Sequence, residues 1–158
     1  MKRILVQNQA WLSLIKSGLK LDFLKRSEII TAKDSKSAVV RPSIAFGMDN
    51  DLLFIEIVRK GDFWERYLVD KLTRYKALLD NWTSNNWGLD NKPLLILNGE
   101  NEEHNRRILS IASEIGLEEL YFTEDTLLCG SQFYHGIYQF RDNGQREFFC
   151  FDQPKVAT

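Results

Sequence analysis

The run Leu52-Leu53-Phe54-Ile55-Glu56-Ile57-Val58 constrains this chain more than any other segment, because it is apolar on both of its faces. A strand that alternates apolar and polar residues covers a core with one side only, whereas an apolar run of this kind needs protein on both sides and so belongs inside a sheet. Helices covering the two faces of such a sheet give an α/β architecture. The exception within the run is Glu56, an acid on a strand whose faces are both covered. A carboxylate there is paired, with Lys71 or Arg59 as the partners at hand, or it belongs to a site.

The chain has 158 residues, of which 44% are hydrophobic, and 10 Phe, 5 Tyr and 4 Trp supply large apolar side chains for one core. No repeat, low-complexity tract or Pro/Gly-rich linker divides it, so residues 1–158 are expected to form a single domain. There is no continuous apolar run long enough to span a bilayer, and Met1-Lys2-Arg3-Ile4-Leu5-Val6 lacks the pattern of a secretory signal. The expectation is a cytosolic protein with no membrane partner. Cys129 and Cys150 form no C-x-x-C pair, which argues against a disulfide scaffold or a zinc knuckle. The net charge of −1 hides an asymmetry: residues 1–76 hold 15 Lys/Arg against 9 Asp/Glu, and residues 77–158 hold 6 against 13. Seven of the basic residues fall between Lys16 and Arg41. Such a half can face a polyanion, or it can be an ordinary solvated surface.

Ala10, Trp11, Leu14 and Ile15 at helical spacing predict a helix over residues 7–17, capped by Gly18. Residues 19–30 read as a long or bulged strand. Residues 39–46 and 52–59 read as two more, joined by the turn-forming Gly47-Met48-Asp49-Asn50-Asp51. A second helix spans residues 63–82 with an apolar stripe from Trp64 to Trp82, and Lys71 projects near the middle of that stripe. A lysine so placed snorkels, pairs with an acid or serves a site. After a polar loop over 83–92 come a strand at 93–97, a helix at 101–115 with Ile108, Leu109, Ala112 and Ile115 inward, and a strand at 120–122. A C-terminal hairpin over 133–151 turns at Asp142-Asn143-Gly144, its aromatic residues packed against the main sheet.

The order helix, three antiparallel strands, helix, strand is that of the PD-(D/E)xK nuclease core. Arg41-Pro42-Ser43-Ile44, Phe54-Ile55-Glu56-Ile57-Val58-Arg59 and Lys71-Leu72-Thr73-Arg74-Tyr75 make the chain resemble the nuclease-fold domain of the plasmid replication-relaxation family, which has an R-P-D strand, an acidic E-x-D or E-x-E strand and a K-x-x-x-Y helix. The resemblance implies a restriction-endonuclease-like core (αβββαβ) with a mixed central sheet flanked by helices. It also implies a role in plasmid, phage or mobile-element biology. In that family a winged-helix unit usually precedes this domain, and this chain leaves no room for one.

Metal-dependent cleavage needs two or more converging carboxylates and a lysine near the scissile phosphate. Glu56 fits the strand acid and Lys71 a lysine supplied from the helix, but Ser43 stands at the expected aspartate and Val58 at the motif lysine. The first helix offers Gln7 and Gln9 where many such enzymes have an acid. Asp49, Asp51 and Glu28 are turn or strand acids with no clear place in the set, and His104 and His135 read as surface or hairpin residues. Glu56 is therefore expected to hold metal weakly, with no cofactor in a lapsed module and Mg²⁺ in an active one.

Three functions follow. The first is a non-catalytic nuclease-fold module that binds DNA weakly and without sequence preference through Lys16, Lys20, Lys25, Arg26 and Arg41, or binds a DNA-bound partner. The second is a protein-interaction or assembly module, and the third an active Mg²⁺-dependent endonuclease.

Overall fold

The computed structural model describes residues 2–32, 35–49, 51–129 and 135–149. Helix α1 (Arg3–Lys16) is followed by β1 (Phe23–Arg26), β2 (Ile30–Ala32), β3 (Ser35–Val40), β4 (Ile44–Met48) and β5 (Asp51–Ile57). Helix α2 (Trp64–Asp80), β6 (Leu94–Gly99), α3 (Glu102–Ile115), β7 (Leu120–Glu124), the short α4 (Asp125–Leu128), β8 (Ile137–Phe140) and β9 (Arg146–Phe149) complete the order.

Seven strands form one mixed sheet in the order β1-β4-β5-β6-β7-β8-β9, and β2 and β3 pair apart from it as a two-stranded hairpin. Strand β5 is antiparallel to β4 and parallel to β6, which is itself parallel to β7. Both faces of β5 are covered as its composition demands. Leu53, Ile55 and Ile57 pack with Val6, Ala10 and Leu14 of α1, while Phe54 and Val58 pack with Leu68, Leu72, Tyr75 and Leu78 of α2. The second face also takes Ile108, Ile111 and Ala112 of α3, together with Ile30, Ala32, Ala38 and Val40 of the small hairpin. No helix of the described residues is long and apolar enough to cross a membrane.

Several elements depart from the sequence reading. The run over 19–30 is two strands, because the main-sheet strand ends at Arg26 and Ser27 takes a left-handed φ of 52° before β2 begins. The run over 39–46 is also two strands. It breaks at Arg41-Pro42, where proline has no N–H to donate and restricts the residue before it. That break lets β3 leave the sheet and close over α2. The first helix begins at Arg3 rather than residue 7, and Ile15 of its apolar spacing is exposed. Gly18 does follow its end with φ of 75°. The C-terminal hairpin extends the sheet edge through β7 and β8 rather than lying against it, and its Tyr138 is buried beside Phe122 and Phe140. Residues 133, 134, 150 and 151 of the expected hairpin, Cys150 among them, lie outside the described residues.

The far side of the sheet is locked by one amide. Asn105, wholly buried on α3, accepts the Gly99 N–H at 2.9 Å and donates to the Thr123 carbonyl and the Tyr138 hydroxyl, each at 2.8 Å. It thereby ties α3 to the ends of β6, β7 and β8. The approach requires glycine at 99, since a Cβ there would collide with the Asn105 carbonyl oxygen. Gly99→Ala is expected to cost about 2–4 kcal/mol by pushing that oxygen off its partner. Urea unfolding would measure it, and a cost within a few tenths of wild type would show that the approach is not limiting.

Candidate functional site

Glu56 sits near the carboxyl end of β5, its side chain 0% exposed, facing α2. Oε1 accepts Nη2 of Arg3 at 2.6 Å and Nζ of Lys71 at 2.8 Å, and Oε2 accepts the Tyr75 hydroxyl at 2.7 Å. Lys71 and Tyr75 are one helical turn apart, so a single face of α2 presents both donors to the acid. Burial first, and then the charge of Glu56, hold the Tyr75 phenol well above its ordinary pKa and keep it a donor.

Ser43, at the place expected of an aspartate, is buried and committed to structure. Its Oγ accepts the Ile57 N–H at 3.1 Å and Arg3 at 3.3 Å. Gln7 donates to the Ser43 carbonyl at 2.7 Å. The first helix therefore brings a cation to Glu56 where the nuclease pattern would bring an acid. Asp51 lies five residues back along β5, about 17 Å at 3.3 Å per residue, too far to share a metal with Glu56. Among the described residues no three His, Cys, Asp or Glu side chains group as a metal site. The donor set does not suit Mg²⁺, which needs several hard oxygens, whereas this carboxylate already faces two cations.

Arg59 does not pair with Glu56. It makes a bidentate contact with Asp125 of α4, both bonds 2.6 Å, and Asn98 of β6 donates to the same acid at 3.0 Å. Above these groups opens a cleft of about 700 Å³. Arg3, Arg41, Arg59, Lys71 and Arg74 line it, against Glu56, Asp62 and Asp70. Five cations against three acids leave a formal surplus of two positive charges among the lining residues, one of them offset by Asp125 behind Arg59.

Of the five basic residues picked out for nucleic acid, only Arg41 lines this cleft. Lys16 borders a second, smaller hollow beside Cys129. Arg26 is drawn onto α1, bonded to Asn8 and stacked 4.5 Å from the Trp11 ring, and Lys25 points to the opposite face of β1. Lys20 and Lys25 are exposed outside the cleft. Arg3, Arg59 and Arg74, which no sequence pattern marks for nucleic acid, line it as well. Arg3 precedes the expected helix start, and a first turn with no side-chain cap and no acid gives no signal of where α1 begins.

His104 is not a surface residue. It is buried in the first turn of α3, its Nδ1 accepts the Glu100 N–H at 3.0 Å, and its ring stands edge-on to Trp64. Burial is the main cause that lowers its pKa to about 4, with nearby Glu100 opposing. His135 is exposed, as expected.

Comparison of the chain with protein-family models, with curated proteins and with solved structures finds no match.

Two measurements test these assignments. Lys71→Met should destabilise the domain by about 1–3 kcal/mol, because part of the compensation of a buried carboxylate is lost, and Glu56→Gln in the same chain should recover much of that. Strict additivity of the two in denaturant unfolding would mean that the groups do not interact. For His104 the folded pKa of about 4 lies below the unfolded value of 6.5, so the unfolded chain binds the proton first. Its contribution is complete above about pH 6.5 and is lost as pH falls toward 4, at up to about 1.4 kcal/mol per pH unit. His104→Asn should flatten the pH dependence of stability across that window; an unchanged profile would refute the assignment.

Proposed function

We propose that this chain is a restriction-endonuclease-like module that has lost metal-dependent cleavage and binds nucleic acid through the cationic cleft over Glu56, in plasmid, phage or other mobile-element biology. The observation that carries the reading is the occupation of both Glu56 oxygens by Arg3, Lys71 and Tyr75, with a neutral Ser43 beside them. In a working metal site those oxygens would face Mg²⁺; here cations of the protein take its place. The succession α1, antiparallel β1-β4-β5, α2 and a β6 parallel to β5 supports the fold assignment. Surplus positive charge in the cleft supports phosphate as the group bound, and binding of this kind is independent of sequence and steeply salt-dependent.

A second reading, docking of a protein partner, draws support from α1, whose Ile4, Leu5, Leu12 and Ile15 are exposed.

The test combines cleavage and binding. Supercoiled plasmid with Mg²⁺ or Mn²⁺ should remain uncut, and cleavage abolished by Glu56→Gln would establish the active endonuclease instead. A labelled duplex at low salt should bind weakly, with affinity falling several-fold on Arg41→Glu and little on the paired reversal of Lys25 and Arg26. Absence of duplex and single-strand binding at low salt would favour the protein-partner reading.

A further inference from the structure

The cleft has a second chemistry that phosphate binding leaves unused. Tyr67, on its α2 wall, and Phe63, the residue just before α2, are 68% and 73% exposed, the two most exposed large hydrophobic side chains described. Burial does not account for rings left this far in water. Nor does backbone preference explain Phe63, which takes the left-handed conformation (φ 60°, ψ 25°) at the head of α2 and makes no side-chain capping bond. A bulky residue is strained there, where glycine is at ease. The chain thus keeps an exposed aromatic ring at a position that both solvation and sterics oppose.

What lies beside the rings gives them a use. Tyr67, Lys71 and Arg74 share one face of α2, and Phe63, just before the first turn, accepts the Tyr67 N–H at its carbonyl at 3.2 Å, which sets it one turn ahead of Tyr67. From Phe63 to Arg74 is about 16 Å along the helix axis. Tyr67, Lys71 and Arg74 line the cleft, with Arg41 among its other lining residues; Arg41 makes no ion pair among the described residues. Aromatic faces at one end and cations along the remainder match a chain whose bases are unpaired and whose phosphates follow one another. A duplex keeps its bases stacked inside and offers those rings nothing but a sugar-phosphate edge.

We propose that the cleft selects single-stranded nucleic acid, stacking unpaired bases on Phe63 and Tyr67 while Arg41, Lys71 and Arg74 hold the backbone. This rests on the nucleic-acid reading above and narrows it to one strand. The site spans a short run of nucleotides and has no sequence preference, since every base offers a face to stack on.

The experiment is fluorescence anisotropy of the full chain with labelled dT12 and with a labelled 12-base-pair duplex, at low and at moderate salt. Wild type is expected to bind dT12 the more tightly. Phe63→Gly with Tyr67→Ala should weaken dT12 binding by about tenfold or more and change duplex binding less than threefold. Phe63→Gly removes the ring while relaxing the left-handed backbone, so thermal unfolding should show a fold at least as stable, and lost binding is then not lost folding. Equal affinity for both probes, or dT12 affinity unchanged in the double variant, would overturn the stacking proposal and leave the nucleic-acid reading standing. Failure of wild type to bind either probe at low salt would overturn both.

Discussion

The buried charge of Glu56 is the constraint around which this end of the molecule is arranged. An ionised carboxylate shut away from water is very costly unless its oxygens are occupied by good donors. Two helices far apart in sequence meet that need: Arg3 from the start of α1, and Lys71 and Tyr75 from successive turns of α2. Because α1 and α2 cover opposite faces of the sheet, the acid near the end of β5 holds two layers in register. Ser43 joins the same cluster by taking the Ile57 N–H and Arg3, so β4 is tied in as well.

That arrangement explains why the cleft is cationic. Arg3 and Lys71 come to the site to compensate one buried acid, yet both remain partly open to solvent. Neighbouring Arg59 is held rigid by Asp125, and Asp125 is in turn fixed by Asn98. The cations of the cleft floor are thus positioned by structural pairs, while on its walls Arg74 meets the exposed Asp70 and Arg41 makes no ion pair among the described residues.

The proline after Arg41 has an effect out of proportion to its size. With Pro42 interrupting the run, β3 pairs with β2 instead of continuing into the sheet, and the small hairpin packs its Ile30, Ala38 and Val40 against α2. Val39, Val40 and Arg41 thereby become one side of the cleft that α2 forms on the other. A strand running straight through this point would have removed that wall.

The sequence by itself determined the central position of β5, the two-sided cover of the sheet, the long amphipathic α2 with Lys71 on its inner side, and the tight turn at Asp142-Asn143-Gly144. Each of these is a local matter, since apolar periodicity reports how many faces an element covers and turn residues report where the chain reverses. Only the tertiary structure decided that Arg3 rather than Arg59 joins Lys71 on Glu56, that Arg59 goes to Asp125, and that His104 is buried. Partners 53 and 66 residues apart meet because the chain crosses the sheet between them, and no spacing pattern encodes that meeting. The same limit hid the cleft. Charge counts marked the first half as basic, but strand alternation sent Lys25 and Arg26 to opposite faces, and the cations that converge were assembled by the fold from four separate segments.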